Sequence, residues 1–343
     1  MLDKKKVLII GPHPPNIGGV CTCIDTIEEG LKNDFDFIKY NTTGKKFKII
    51  YKVYKLLKYP FTLIRQKPEV VHIHTPSDWA FWYNIALLQI SKTFGIKTIL
   101  HIHGGAFDKY YNTSKHKSVI RKAINSADKV IVLSEYWRKF FKKICDEEKI
   151  VIIPNSVSIP KAMSSLTTKN VLFVGSDWKR KGVLDIITAA KKVIREVKEV
   201  KFLIAGEDDN LDLDKIIKEN KLTNNILLLG NIIGKVKEQT FLKASVYILP
   251  SYNENLPITL LEAMSYGIPT ISCNVGGIPE IVDNNKTGFI INPGDHMALA
   301  EKIITLLNDS NMRKRLGLNS RIKAEKEYDT KKNIIKIKNI YNE

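Results

Sequence analysis

Short runs of uninterrupted apolar residues recur along the chain, each followed by a polar loop and a stretch with apolar positions three to four apart. The first, residues 7–10, ends at Gly11 and is followed by the loop PHPPNIGG and a helix-like segment over 20–31. Such a run fits a strand buried on both faces of a parallel sheet. Further strands are predicted at 70–74, 98–103, 130–133 and 150–153, with stretches of helical length such as 79–94 and 117–126 between them. The pattern then restarts. Residues 171–174 end at Gly175, a loop leads to a helix over 183–196, and strands follow at 202–205, 226–229, 246–249, 270–272 and 289–291. Between the two series lies PNSVSIPKAMSSLTTK (154–169), rich in Pro, Ser and Thr, which reads as a linker. Strands alternating with helices predict parallel sheets covered on both faces. The expected architecture is α/β: two Rossmann-like domains, 1–160 and 161–325, facing each other across a cleft, with a helix in 326–343 returning to the first. Ligands in such sheets sit beyond the carboxyl ends of the strands.

The length of 343 residues suits two domains of roughly 150 residues each. Charge adds a direction. The net charge is +18, and residues 1–160 hold 26 of the 54 basic side chains but only 14 of the 36 acidic ones. A positive field favours nucleic acid, nucleotide-linked substrates or an acidic membrane surface, and does not choose among them. The most apolar stretch, 79–90, is broken by Asn84 and Gln89 and is too short to span a bilayer. The start, MLDKKKVLIIGPHPP, has too short an apolar run for a signal peptide. Cys21, Cys23, Cys145 and Cys273 lack the second close pair that zinc would want, so reduced thiols and the cytosol are expected.

Three segments carry candidate chemistry. Gly18 and Gly19 precede a helix, where bare backbone could approach a phosphate, although turn geometry alone also explains the pair. The loop Gly175-Ser-Asp-Trp-Lys-Arg-Lys-Gly182 places three cations before a helix, either as a diphosphate clamp or as a solvated charge run. The strongest signal is PSYNENLPITLLEAMSYGIPTISCNVGGIPEIV (250–282). There Glu254 lies in the loop before a helix starting near Ile258, and Glu262 lies about one turn inside it. Two such carboxylates could accept hydrogen bonds from sugar hydroxyls while the loop amides hold an anion.

This block, PS-x-x-E-x-x-P-x-x-x-x-E-A-M-x-x-G-x-P followed by GG-x-x-E, resembles the donor-site signature of retaining glycosyltransferases of family 4, with the GT-B fold. The resemblance runs almost end to end. It includes Gly18-Gly19, His103-Gly104, Ser134, Pro154-Asn155, the loop from Gly175 to Lys181-Gly182, and Thr287-Gly288. It implies transfer of a sugar from a UDP- or GDP-sugar, with the anomeric configuration kept and with no metal ion or other cofactor. The acceptor would be a glycan or a lipid-linked precursor in cell-surface polysaccharide or glycoconjugate synthesis. By the same resemblance the second domain binds the donor and the first the acceptor. Glu262 would hold the ribose hydroxyls, and Glu254 the transferred sugar, with the amides of Asn255 and Leu256 beside it. Lys181 would neutralise the diphosphate with help from Gly18 and Gly19, the base would lie near the backbone of Ile232, and His103 would face the reacting sugar. The family commonly has Arg where this chain has Ser176, so Lys179 or Arg180 supplies the second cation, or the site runs on fewer charges. Asn155-Ser156 replaces the usual Asn-Gly.

Other features are weighed against these. His72 with His74, and His101 with His103, alternate along strands and share faces. Four imidazoles could bind a metal, but no carboxylate follows at ligand spacing, so no metal is expected and His101 is read as packed. Asp34-x-Asp36 and Asp212-x-Asp214 match a metal motif of another glycosyltransferase fold but do not end buried strands. Trp79, Phe81, Trp82 and Tyr83 read as core in preference to an acceptor platform. Residues 45–67 hold eight cations and no acid. Lys45, Lys48, Lys52 and Lys55 recur on one helical face, with Phe47, Ile50, Tyr54, Leu57 and Phe61 on the other. This helix either docks its apolar face on the first sheet or meets an anionic membrane, which would make the protein cytoplasmic or peripheral on the inner face of the plasma membrane. Two other functional classes compete. An inactive sugar-nucleotide binding protein would keep the glutamate block, whereas a nucleic-acid-binding protein would leave it without purpose, and no nucleic-acid partner is expected.

Overall fold

The computed structural model describes residues 4–343 except 17, 43–47, 78 and 209. The chain forms two compact units, unit 1 from Met1–Ser156 with Thr330–Glu343, and unit 2 from Val157–Asp329. No helix among the described residues is long and apolar enough to cross a membrane.

In unit 1, β1 (Lys5–Gly11), β2 (Phe35–Asn41), β3 (Val70–Thr75), β4 (Lys97–Ile102), β5 (Lys129–Val132) and β6 (Ile150–Ile152) form a parallel sheet in the order β2-β1-β3-β4-β5-β6. The inner strands VVHIHT and KTILHI are buried almost throughout, as strands covered on both faces must be. The edge strand β2, FDFIKYN, interrupts its apolar residues with exposed polar ones, so a search for unbroken apolar runs passes over it. The direction of chain travel across the sheet reverses between β1 and β3, which opens a ligand crevice at their carboxyl ends. Helices α1 (Gly19–Leu31), α2 (Lys48–Gln66) and α3 (Trp79–Thr93) follow β1, β2 and β3. The last helix, Thr330–Asn342, also packs in unit 1. Lys5 and Lys97 donate to the carbonyls of Tyr341 and Ile340 at 2.6 Å, placing cations at its negative end.

Helix α2 corrects the expectation for its two faces. Lys45 and Phe47 lie outside the described residues. The helix docks through Tyr59 and Leu63, which are 0% and 2% exposed, and the Tyr59 hydroxyl bonds Ser91 Oγ at 2.7 Å. Lys52 and Lys55 lie on this docked side, their ammonium groups 5.4 Å and 4.1 Å from the ring centres of Tyr83 and Tyr40. Ile50, Val53, Tyr54, Leu57, Phe61 and Ile64 face solvent. The lysine side can dock because its long apolar stems bury while the charged heads rest on aromatic faces.

In unit 2, β7 (Asn170–Val174), β8 (Lys201–Ala205), β9 (Ile226–Gly230), β10 (Val246–Leu249), β11 (Thr270–Cys273) and β12 (Gly288–Ile291) form a second parallel sheet, β12-β11-β10-β7-β8-β9. From β7 the chain steps outward through β8 to β9, then returns beside β7 and steps the other way. The reversal lies between β7 and β10, so the loops after these two strands flank the crevice.

Candidate functional site

The loops after β7 and β10 meet at that reversal. The first runs from Gly175 to Gly182, which caps the helix Val183–Glu196 with φ 73°. A Cβ on Gly182 would lie 2.2 Å from the carbonyl oxygen of Pro250, so only glycine allows this approach of the two loops. The amide of Tyr252 donates to the Arg180 carbonyl at 2.9 Å, and the Arg180 guanidinium donates to the carbonyl of Asn253. Across this junction Lys181 Nζ donates to Glu254 Oε1 at 2.7 Å, Ser251 Oγ donates to the same oxygen at 3.1 Å, and Arg180 Nη1 lies 3.2 Å from it. Glu254 is 8% exposed. Burial alone would raise its carboxyl pKa, but the charges of Lys181 and Arg180 and the hydrogen bonds from Lys181 and Ser251 outweigh that and hold it below the usual carboxylate range. The result is a carboxylate kept ionised between two cations that an incoming anion could recruit.

Asn255 and Leu256 continue the loop as buried residues and lead through Pro257 into the helix Ile258–Ser265. The amide of Gly277 donates to the Asn255 carbonyl at 2.9 Å. Gly276, at φ 52°, lets that neighbouring loop close in, since a Cβ there would lie 1.9 Å from the Glu254 carbonyl oxygen. Glu262 sits within the helix. Its Oε1 accepts from Lys237 Nζ at 2.6 Å, whereas its buried Oε2 has no hydrogen-bond partner. Burial raises the Glu262 carboxyl pKa, and the Lys237 charge only partly offsets it. Ile232 is nearly buried in the loop after β9, and Ser176 is exposed directly after Gly175.

Spacing foretold neither Lys237, which comes from the helix Gly234–Leu242, nor the use of Ser251. Of the two cations considered in place of Arg at Ser176, Arg180 reaches Glu254, while Lys179 is exposed.

In unit 1, Gly18 is exposed at φ 155° just before α1. His103 is the first residue after β4, and its amide donates to the Thr75 carbonyl at 2.8 Å. Its Nε2 shares a hydrogen bond of 2.9 Å with His74 Nδ1. His72 Nε2 and His101 Nδ1 are 3.2 Å apart, and His72 Nδ1 bonds the Tyr341 hydroxyl at 2.6 Å. Burial drives the His72 imidazole down to about 3, and burial with neighbouring histidines drives His74 and His101 well below the ordinary value. The His103 imidazole is pushed down by burial as well. Burial thus favours the neutral form of all four rings.

The aromatic cluster divides: Phe81 is buried, Trp82 and Tyr83 pack at the edge of the core, and Trp79 is 86% exposed, which corrects the reading of Trp79 as core. Asp34 pairs with Lys338 at 2.6 Å, and the Asp212 side chain caps the helix Leu213–Glu219 by accepting from the Lys215 amide at 3.0 Å. Both therefore hold ordinary structural partners.

The family described as Glycosyl transferases group 1 matches residues 158–323, and the family described as Glycosyltransferase Family 4 matches residues 29–159. Among individual proteins, the chain is similar to the UDP-Gal:alpha-D-GlcNAc-diphosphoundecaprenol alpha-1,3-galactosyltransferase of Escherichia coli, 27% identical over 335 residues covering 87% of this chain and 79% of that one. Among solved structures, it superposes on the sucrose-phosphate synthase of Thermosynechococcus elongatus with a TM-score of 0.83 at 18% identity, covering 99% of this chain and 98% of that one. HepE of Anabaena, in complex with UDP and glucose, gives 0.79 at 17% identity, covering 98% and 99%.

Proposed function

The chain belongs to the group 1, family 4 glycosyltransferases, and from that premise we propose that it moves a sugar from a UDP- or GDP-sugar to a glycan or lipid-linked acceptor with retention of configuration. The observation that carries this reading is the pair of glutamates beyond β10. Glu254 is charged and compensated by Lys181 and Arg180, while Glu262 is buried with one oxygen lacking a partner. Ribose hydroxyls donate to Glu262 Oε2. The diphosphate draws Lys181 and Arg180 towards itself, aided by the amides of Asn255 and Leu256, and frees Glu254 for the hydroxyls of the transferred sugar. Ser176 and Ile232 flank the phosphate and the base.

In the reaction the anomeric C–O bond to the diphosphate breaks. The acceptor oxygen bonds to the same face of the sugar, and its proton passes to the departing phosphate oxygen. Charge grows on that oxygen, so fixed cations stabilise the transition state more than the ground state, and side-chain cations meet it here in place of a metal ion. The E. coli relative is named for an acceptor carried on diphosphoundecaprenol, which supports a lipid-linked substrate. A thermal-shift and turnover screen over UDP-, GDP- and ADP-sugars tests the reading. One base class should stabilise the protein and be consumed, and indifference to all three would refute it.

The exposed stripe of α2 extends the proposal to a membrane. Ile50, Tyr54, Leu57, Phe61 and Ile64 point outward from a helix flanked by exposed Lys58 and Arg65 and lacking any acid. Such a surface suits the interface of an anionic bilayer, with apolar side chains entering and cations meeting head groups. Because apolar insertion adds to the electrostatic attraction, high salt should weaken binding to anionic liposomes only in part. Leu57→Ser with Phe61→Ser should abolish the salt-resistant fraction. If flotation of that double variant matches the wild type, or if α2 instead pairs two copies of the chain in solution, the membrane assignment fails.

A further inference from the structure

Two histidines at the ends of β3 and β4 are joined in a way that decides what one of them offers to a ligand. His74 lies in β3, in register with His101 of β4, and is 1% exposed. His103 follows β4 and is only half-buried. Their rings lie 14° from parallel with centres 5.0 Å apart, and His74 Nδ1 is 2.9 Å from His103 Nε2, so the hydrogen bond runs edge to edge between them. We propose that His74 is a positioning residue that holds the ring proton of His103 on Nδ1, so that His103 presents a neutral hydrogen-bond donor at the carboxyl end of β4. Use of that donor on an oxygen of the reacting sugar rests on the transferase reading.

The bond between the rings needs one proton, and its source fixes the two outer nitrogens. A neutral imidazole carries one N–H and one lone pair. Were His103 Nε2–H the donor, the proton of His74 would sit on Nε2, a buried atom with no hydrogen-bond partner. An orphaned N–H in a core is rarer than an acceptor with an unused lone pair. With the proton on His74 Nδ1 instead, the buried Nε2 keeps only a lone pair. Nδ1–H then donates to His103 Nε2, and the single proton of His103 is left on Nδ1. Burial and the neighbouring histidines push the His74 imidazole well below its ordinary pKa, which disfavours a second proton on that ring. Among the described residues none hydrogen-bonds His103 Nδ1, so its proton is free for a ligand.

Backbone contacts hold both rings in place. A Cβ on Gly11 of β1 would lie 3.3 Å from the His74 Cβ, and the buried Asn84 side chain donates to the His74 carbonyl at 3.2 Å. The His103 amide donates to the Thr75 carbonyl, and a Cβ on Gly104 would lie 2.4 Å from the Ser77 amide nitrogen, so the loops after β3 and β4 are pressed together. A neutral N–H meets a sugar oxygen without setting a full positive charge beside a ring that turns cation-like as the anomeric bond breaks.

The proton can be located in the free chain by magnetic resonance. With the histidine ring nitrogens isotopically labelled, and His103 identified by its loss in His103→Ala, the wild type should show Nδ1 protonated and Nε2 bare. A proton on Nε2 of His103 would overturn the assignment, whatever the chain transfers. His74→Leu removes the bond at similar size and should lower kcat for the nucleotide-sugar that the wild type consumes by roughly 10- to 100-fold, with KM little changed. His74→Asn places an amide N–H near the former Nδ1 and should recover most of that loss. Equal kcat in the two folded variants would also overturn it. A wild type that transfers nothing from UDP- or GDP-sugars would refute the transferase reading and leave the position of the proton standing.

Discussion

The two sheets present opposite chemistry at corresponding places. Beyond β7 and β10 of unit 2, the side chains are charged and matched: Lys181, Arg180 and Ser251 converge on one oxygen of Glu254. At the ends of β3 and β4 of unit 1, the side chains are uncharged in preference and partly unmatched: four imidazoles whose neutral form burial favours, two with a nitrogen left over. Topology fixes where a crevice opens in a doubly wound sheet. The residues within two or three positions of the strand end decide what the crevice can hold. A compensated ion pair is suited to exchanging partners with an anion, because its cations can move to a new negative charge. A set of buried neutral rings instead hands hydrogen bonds from one strand to the next and resists taking up a further proton.

Acid should separate the two most sharply. Unfolded imidazoles bind protons below about 6.5, whereas buried His72 does so only at about 3, and His74 and His101 are likewise depressed. The unfolded state therefore holds more protons in this window, and stability falls as pH drops through 6.5. The loss should grow steadily between pH 7 and 5, with His72 alone contributing about 2 kcal/mol. Glu254 behaves oppositely. Its depressed pKa gives stability present above the unfolded carboxylate value and lost only on acidification below it, so unit 2 should be little affected at pH 5. Urea unfolding by pulse proteolysis, with the surviving fragments identified by mass, should show unit 1 weakened and unit 2 nearly unchanged. Equal shifts in both would erase the contrast.

Removing a cation tests the charged half. Lys181→Ala should lower kcat/KM by about 10²–10³, the range for a preorganised group facing developing charge. Arg180→Ala should cost less, about tenfold, because its side chain is 37% exposed against 12% for Lys181. The reverse order in steady-state kinetics would mean that Arg180, standing in for the Arg absent at Ser176, is the principal phosphate contact.

An effect of the same order as that of Arg180, but read in nucleotide binding, is expected at Glu262. Glu262→Ala should weaken binding of the free nucleotide by about 1–3 kcal/mol while the sugar contacts of Glu254 persist. Titration calorimetry showing wild-type affinity would remove the ribose from Glu262 and leave its orphaned oxygen unexplained.

Much of this was legible in the sequence where burial dictates residue type. The unbroken apolar runs gave the inner strands of both sheets, and the helices Val183–Glu196 and Ile258–Ser265 begin where the pattern placed them. The edge strand β2 was hidden because an edge needs no unbroken apolar run. For α2 the pattern identified two faces but not which one docks, because that depends on Tyr40, Tyr59 and Tyr83 receiving the lysine side. Similarly, Glu254 stood out through its motif, but Lys237, the partner of Glu262, comes from another helix with no local signal.

The hydrogen bond between His72 and Tyr341 joins residues 269 positions apart and has a consequence for the order of synthesis. Unit 2 is one continuous stretch, whereas unit 1 lacks a helix until Thr330–Glu343 has been made. On the ribosome the unit that emerges first is thus the one completed last. Its histidine-bearing face waits for Tyr341 while all of unit 2 is translated and able to close its own sheet. Interrupted translation would release a finished second half attached to an unsealed first half, exposing the apolar strands that invite chaperones or aggregation.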